Sequence, residues 1–237
     1  MNKEKIKIQV EKYPVLYLSY YHLWRKHHGS KVILPKPGQD LYFDGFPRSG
    51  STYITGLINF CFPELIFSNH LHAIAGIKLA FRYRLPVFII IREPLEAISS
   101  YYVMKNNERT SLNSLTEYFI RYYNYLMTHR DKIHFIFFPE WLENKVVTMN
   151  NFIQVLGVDK PIISEKSLLE YDTLMRELEN KKDSTAGSFP NHKKNELKNQ
   201  AKADIVLHKD FQHAKYLFDT LKEEVYSSAL NYKSQNV

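Results

Sequence analysis

Short, nearly unbroken apolar runs alternate along this chain with longer stretches of helical spacing. Leu41-Tyr-Phe-Asp-Gly45 and Leu65 to Ser68 have strand length, and Lys132 to Phe138 is a further buried run. Pro86-Val-Phe-Ile-Ile-Ile-Arg92 is the strongest, apolar up to its closing arginine, as a strand covered on both faces should be. Lys5 to Val10 alternates polar and apolar and predicts another short strand. The spacing predicts helices over Tyr13–His28, Thr52–Phe60, His72–Arg84, Pro94 to about Lys105, Leu112–His129, Trp141–Leu156, Ser164–Asn180 and Asp210–Leu230. Pro94, with Glu93 and Glu96 beside it, marks a helix start, and Gly157 a stop. Pro35, Pro37 and Gly38 mark a loop, and the polar, aperiodic stretch Lys181–Asn199 reads as another.

Strands that alternate with helices predict an α/β fold with a mainly parallel central sheet. At 237 residues, 44% hydrophobic and 24% charged, the chain fits one soluble domain with a core of useful size. Residues 1–40 and 200–237 are expected at its periphery. The formal charge of +7 favours an anionic partner without choosing one. The one cysteine, Cys61, permits no internal disulfide and reads as a small hydrophobe on a helix. No signal-peptide run opens the sequence, and Pro14 to Trp24 is too short to span a bilayer, so a soluble, cytoplasmic protein is expected. The aromatic face of Tyr13–His28 suits a core, an acceptor site or contact with a membrane surface.

The candidate chemistry starts at Gly45-Phe-Pro-Arg-Ser-Gly-Ser-Thr52. Strand, glycine-containing turn and helix form the arrangement that aims helix N-terminal amides at a phosphate. The segment nearly satisfies G-x-x-x-x-G-K-[ST], but Ser51 stands where the lysine belongs, and the cation has moved inside the loop to Arg48. A kinase needs that lysine on the β- and γ-phosphates, normally with magnesium. A second motif lies at the end of the strongest strand, where Arg92-Glu-Pro leads to Ser100 eight residues on, about two turns of helix.

Both segments resemble the donor-binding motifs of sulfotransferases that use 3′-phosphoadenosine-5′-phosphosulfate (PAPS). Pro47-Arg-Ser-Gly-Ser-Thr-Tyr53 is similar to their phosphosulfate loop P-[KR]-S-G-[ST]-[ST]-x, and Arg92 to Ser100 to the segment that holds the 3′-phosphate. The resemblance runs from about Leu41 to Phe189. It implies a three-layer α/β/α, P-loop-like fold, with PAPS as donor, no metal, and an acceptor hydroxyl or amine on a small molecule, lipid or carbohydrate. It implies that Arg48, Ser49, Gly50, Ser51 and Thr52 grip the phosphosulfate, that Tyr53 stacks on the adenine, and that Arg92 and Ser100 hold the 3′-phosphate. Ser99 is the neighbour to be distinguished from Ser100. A cation, helix-start amides and hydroxyls together would stabilise charge on the departing phosphate.

The resemblance also implies a histidine base after the second strand. His70 takes that place with His72 as runner-up, while Glu64 and Glu96 are the carboxylate alternatives. Phe138 and Glu140 fall at an adenine-touching and an acidic position of the family. Lys182, Ser184 and Gly187 resemble a loop that folds over the 3′-phosphate, with Lys182 replacing an arginine and so losing bidentate pairing. No nucleic-acid partner is expected. The acceptor and the oligomeric state stay open. The competing readings are a P-loop kinase and a non-catalytic nucleotide- or polyanion-binding module.

Overall fold

A computed structural model describes residues 13–28, 33–105, 111–157, 163–180 and 192–235. The strand predicted at Lys5–Val10 lies outside them. Helix α1 (Pro14–His28) precedes β1 (Leu41–Gly45), α2 (Ser51–Cys61), β2 (Phe67–Asn69), α3 (Ile74–Arg82) and β3 (Val87–Ile91). Then come α4 (Pro94–Met104), α5 (Leu112–Thr128), a 3-10 turn (Arg130–Lys132), β4 (His134–Phe137), α6 (Phe138–Glu143) and α7 (Lys145–Val155). Helices α8 (Glu165–Asn180), α9 (His192–Val206) and α10 (Phe211–Gln235) complete the described chain.

The strands form one parallel sheet in the order β2-β1-β3-β4, with Phe43 opposite Phe88 and Ile89 opposite Phe135. Side chains alternate across a strand, and the core divides accordingly. Leu41, Phe43, Phe88, Ile90 and Ile136 face a layer that includes Ile54 and Leu57 of α2, Phe152 of α7 and Tyr171 of α8. Tyr42, Ile89, Ile91 and Phe137 face the opposite layer, with Ile77 of α3, Ile98 of α4, Phe119 of α5, Ile205 of α9 and Leu217 of α10. The fold is therefore α/β, with helices on both faces of a central parallel sheet. Each large apolar side chain so buried contributes about 1.5–3 kcal/mol.

The connections leaving β1 and β3 depart on opposite faces: α2 packs on one layer and α4 on the other. The strands are neighbours, so a crevice opens between their carboxyl ends, where open parallel sheets bind ligands. Both sequence motifs lie on these connections.

The structure differs from the sequence reading in three places. Part of the stretch expected as a loop at Lys181–Asn199 is the first half of α9. That helix buries little beyond Ala201 and Ile205, one turn apart, which is too few positions to announce a helical period. The single helix expected over Trp141–Leu156 is two, because Asn144 leaves the helical region (φ −131, ψ 48), and α6 starts earlier, at Phe138 with Pro139 in its first turn. The terminal segments expected at the periphery reach the core: Tyr17 and Tyr21 of α1, Ala201 and Ile205 of α9, and Phe211, Ala214 and Leu217 of α10 are buried. Cys61 is half-buried at the end of α2. Among the described residues no helix is long and apolar enough to cross a membrane.

Candidate active site

The loop after β1 is built by backbone strain. Arg48 adopts φ 69, and Gly50 caps α2 at φ 98. These left-handed values close the turn, in which Ser49 N–H donates to the Phe46 carbonyl at 3.1 Å. Gly50 has no side chain to cap α2; Tyr53 N–H turns back to the Gly50 carbonyl at 3.1 Å, and the amides of Ser51 and Thr52 open the helix without a side-chain cap. A Cβ at Gly50 would stand 2.6 Å from Cε2 of Phe138, so the ring lies directly against the loop. Non-glycine residues in this backbone region concentrate at functional sites. Of the others here, His70 (φ 58) and His72 (φ 49) follow the adjacent strand β2.

The loop after β3 meets it. Arg48 Nε donates to Ser100 Oγ at 3.2 Å, a contact between residues 52 apart in sequence. Arg92 Nη1 donates to the Arg48 carbonyl at 2.9 Å, and its guanidinium lies 4.3 Å from the centroid of Phe138. Arg92 is itself pinned by Tyr123 of α5. Its N–H donates to the Tyr123 hydroxyl at 3.0 Å, and that hydroxyl donates to the Arg92 carbonyl at 2.9 Å. The two motifs thus form one cluster. Ser99 is buried instead, its hydroxyl donating to the Glu96 carbonyl. Two buried polar atoms of the cluster, Ser49 Oγ and Arg92 Nε, have no hydrogen-bond partner among the described residues. Burial, chiefly, pushes the Arg92 guanidinium below its ordinary pKa; Glu96 opposes this and nearby Arg48 adds to it. An anion placed here would relieve that desolvated positive charge.

Two cations that sequence reasoning missed complete the group. Lys198 Nζ of α9 lies 2.9 Å from Glu96 Oε2, Lys202 pairs with Glu96 Oε1, and Arg92 Nη2 lies 3.2 Å from Oε2. Burial alone would raise the Glu96 pKa, but the lysine hydrogen bonds and charges overcome it and hold the carboxyl at about 2. A carboxylate so acidic and so occupied is a poor proton acceptor. The four-residue spacing of Lys198 and Lys202, one turn of helix, was the available signal.

Of the remaining expected contacts, Ser51 is buried and Thr52 exposed in the first turn of α2. Tyr53 is engaged within the protein. Its hydroxyl bonds to Asp172, Lys145 Nζ donates to it at 3.1 Å, and its ring packs edge-on against Tyr171 and Trp141. Burial first, then Asp172, pushes its pKa far up. Glu64 is exposed before β2, and Glu140 pairs with Lys222 at 3.4 Å. Lys182, Ser184 and Gly187 lie outside the described residues.

Both histidines stand beside the root of the loop after β1, their rings 5.8 Å apart. His70 Nε2 lies 3.2 Å from Thr55 Oγ1 of α2. Burial first, then His72, pushes the His70 pKa down, with Asp44 opposing. His72 Nδ1 lies 2.7 Å from the Gly45 carbonyl and 3.0 Å from Asp44 Oδ1. Asp44 went unnoticed in the sequence, although a lone carboxylate inside an apolar strand was a readable signal. Among the described residues no group of three or more His, Cys, Asp or Glu side chains could hold a metal.

No family model matches the sequence, and no curated protein matches it. Among solved structures, a mouse sulfotransferase complexed with PAP aligns with 80% of this chain and 90% of its own, at 13% identity and a TM-score of 0.49. That degree of likeness transfers no residue role and no activity.

Proposed function

We propose that this protein transfers a sulfuryl group from PAPS to an acceptor hydroxyl or amine and releases adenosine 3′,5′-bisphosphate. The observation that carries the reading is the Arg48–Ser100 hydrogen bond, with Arg92 holding the Arg48 carbonyl. It joins, in one crevice, the two segments whose residues resemble donor-binding motifs. The first-turn amides of α2, Arg48, Ser51 and Thr52 suit the phosphosulfate end. Arg92 and Ser100, with Lys198 and Lys202 close behind, suit the 3′-phosphate. Lys182, Ser184 and Gly187 are proposed to add contacts there, and Tyr53 to border the adenine. Ser49 Oγ and Arg92 Nε, buried without hydrogen-bond partners among the described residues, fit a cradle for such an anion. His70 and His72, beside the loop, are the groups proposed to take the acceptor's proton.

Charge distribution separates this donor from a kinase's. ATP has no 3′-phosphate to engage Arg92 and Ser100, and Ser51 supplies no charge where a kinase places its lysine. The test is calorimetry on the whole chain with adenosine 3′,5′-bisphosphate and, separately, with magnesium-ATP. Tight binding of the first without metal, and none of the second, is expected. Arg92→Ala should weaken it about 10- to 100-fold, the loss of one or two charge-assisted hydrogen bonds. Preference for magnesium-ATP would overturn the reading. So would equal, salt-sensitive binding of unrelated polyanions without turnover of PAPS, the behaviour of a binding module.

A further inference from the structure

Asp44 is a charged residue in the middle of the core. It is fully buried at the end of β1, one residue before the phosphate loop begins. Its Oδ2 accepts the Tyr42 hydroxyl at 2.6 Å and the His72 backbone N–H at 2.7 Å; its Oδ1 lies 3.0 Å from His72 Nδ1 as an ion-pair contact, the ring's hydrogen bond going to the Gly45 carbonyl at 2.7 Å. Burial alone would keep this carboxyl protonated. The charge of His72 and the hydrogen bonds from His72 and Tyr42 outweigh it and lower its pKa. An ionised carboxylate without solvent is costly to keep, and this one is aimed at a single imidazole.

The hydrogen-bond partners decide where the protons sit. Around His72 Nδ1 stand a backbone carbonyl and a carboxylate, both of which can only accept. Nδ1 therefore carries a proton, and in the neutral ring the lone pair is on Nε2. The ring is anchored along its buried edge, yet the side chain remains 23% exposed. His70 differs. The Thr55 hydroxyl donates to the Ser51 or Thr52 carbonyl, at 2.9 and 3.2 Å, so its oxygen accepts from His70 Nε2. Among the described residues no carboxylate stands at hydrogen-bond distance from His70 to stabilise its cation, and burial opposes that cation.

We propose that His72 is the base of the reaction and that Asp44 is its positioning residue, an assignment that rests on the sulfuryl-transfer reading. His72 Nε2 takes the proton from the acceptor hydroxyl as the hydroxyl oxygen forms its bond to sulfur. The bond from sulfur to the bridging oxygen breaks, and its electron pair leaves with the 5′-phosphate of adenosine 3′,5′-bisphosphate. The Gly45 carbonyl holds the Nδ1–H tautomer, while Asp44 holds the His72 backbone N–H and balances the imidazolium until it returns its proton to water. The arrangement follows the logic by which a buried carboxylate orients a histidine base elsewhere.

The test combines a spectrum with kinetics on the full chain. Imidazole ¹⁵N spectra of the wild-type protein should show His72 protonated on Nδ1, and Asp44→Asn should weaken that preference, since its amide can present a donor to Nδ1 while the Gly45 carbonyl remains as acceptor. Release of adenosine 3′,5′-bisphosphate from PAPS, with water or a phenol as acceptor, reads turnover. His72→Ala should lower it about 100-fold, leave bisphosphate affinity within about threefold, and recover several-fold when free imidazole is added. That recovery is not expected of a side chain with a merely structural part, and the wild-type spectrum stands even if Asp44→Asn fails to fold. An Nε2-protonated His72, undiminished turnover in His72→Ala, or imidazole rescue of His70→Ala instead would overturn the assignment while leaving donor binding intact. A wild-type protein that neither binds the bisphosphate nor consumes PAPS would overturn the sulfuryl-transfer reading, and the base with it.

Discussion

Gly50 shows how one missing methyl group can shape a site. Its φ of 98 is a conformation that side chains resist, and a Cβ there would collide with the ring of Phe138, on which Arg92 stacks. Gly38 has a similar φ of 80 but open space around its missing Cβ. Gly50→Ala should therefore destabilise the protein by about 2–4 kcal/mol, combining backbone strain with overpacking. Gly38→Ala should cost only about 1–2 kcal/mol of strain. Urea unfolding of the two variants gives the difference, and equal losses would mean that Phe138 yields freely. Asp44 teaches the complementary lesson: its surroundings explain a polar residue that no strand pattern asks for.

At the scale of elements, α9 is held against α4 largely by charge. Lys198 and Lys202 close on Glu96, while Ala201 and Ile205 supply a small apolar contact. Glu96 titrates at about 2 in the folded chain against an ordinary 4.5. Its stabilising contribution is thus fully present above about pH 4.5 and is lost as pH falls towards 2. Glu96→Gln should melt below the wild type at pH 6, and the gap should narrow steadily between pH 4.5 and 2. A gap that stays constant with pH would mean that the lysines do not anchor the helix. Hydrogen exchange should rise in residues 195–206 of Glu96→Gln before it rises in β3, because local opening begins where apolar burial is thinnest.

At the scale of the whole molecule, the crevice between β1 and β3 joins the layers. The loop after β1 leads into α2 on one face, Arg92 leads into α4 on the other, and Tyr123 and α9 brace the second arm. A ligand that bridges both loops ties the two layers together, and binding to the native state alone stabilises by mass action. Adenosine 3′,5′-bisphosphate at about a hundred times its dissociation constant should contribute about 2.7 kcal/mol. For a chain of this size that raises Tm by about 5–10 °C. The rise should be the same with and without magnesium and should fall to about half or less in Arg92→Ala at the same ligand concentration. Differential scanning calorimetry measures it, and a magnesium-dependent rise would count against the proposed donor.

The hydrophobic pattern by itself determined that this is a parallel α/β protein. Runs such as Phe88-Ile-Ile-Ile91 can be satisfied only by apolar cover on both faces, and the loop chemistry at Gly45–Thr52 and Arg92–Ser100 follows from residue types at local spacings. Contacts distant in the chain were not legible there. That Arg48 meets Ser100, that Lys198 and Lys202 close on Glu96, and that Tyr53 turns to Asp172 rather than outward depend on how layers pack. No local propensity encodes such packing. The same holds for the choice between the two histidines. In the sequence they are two residues apart and alike. Only the fold places a buried carboxylate against one and a threonine hydroxyl against the other, because Asp44 reaches His72 from β1 and Thr55 reaches His70 from α2.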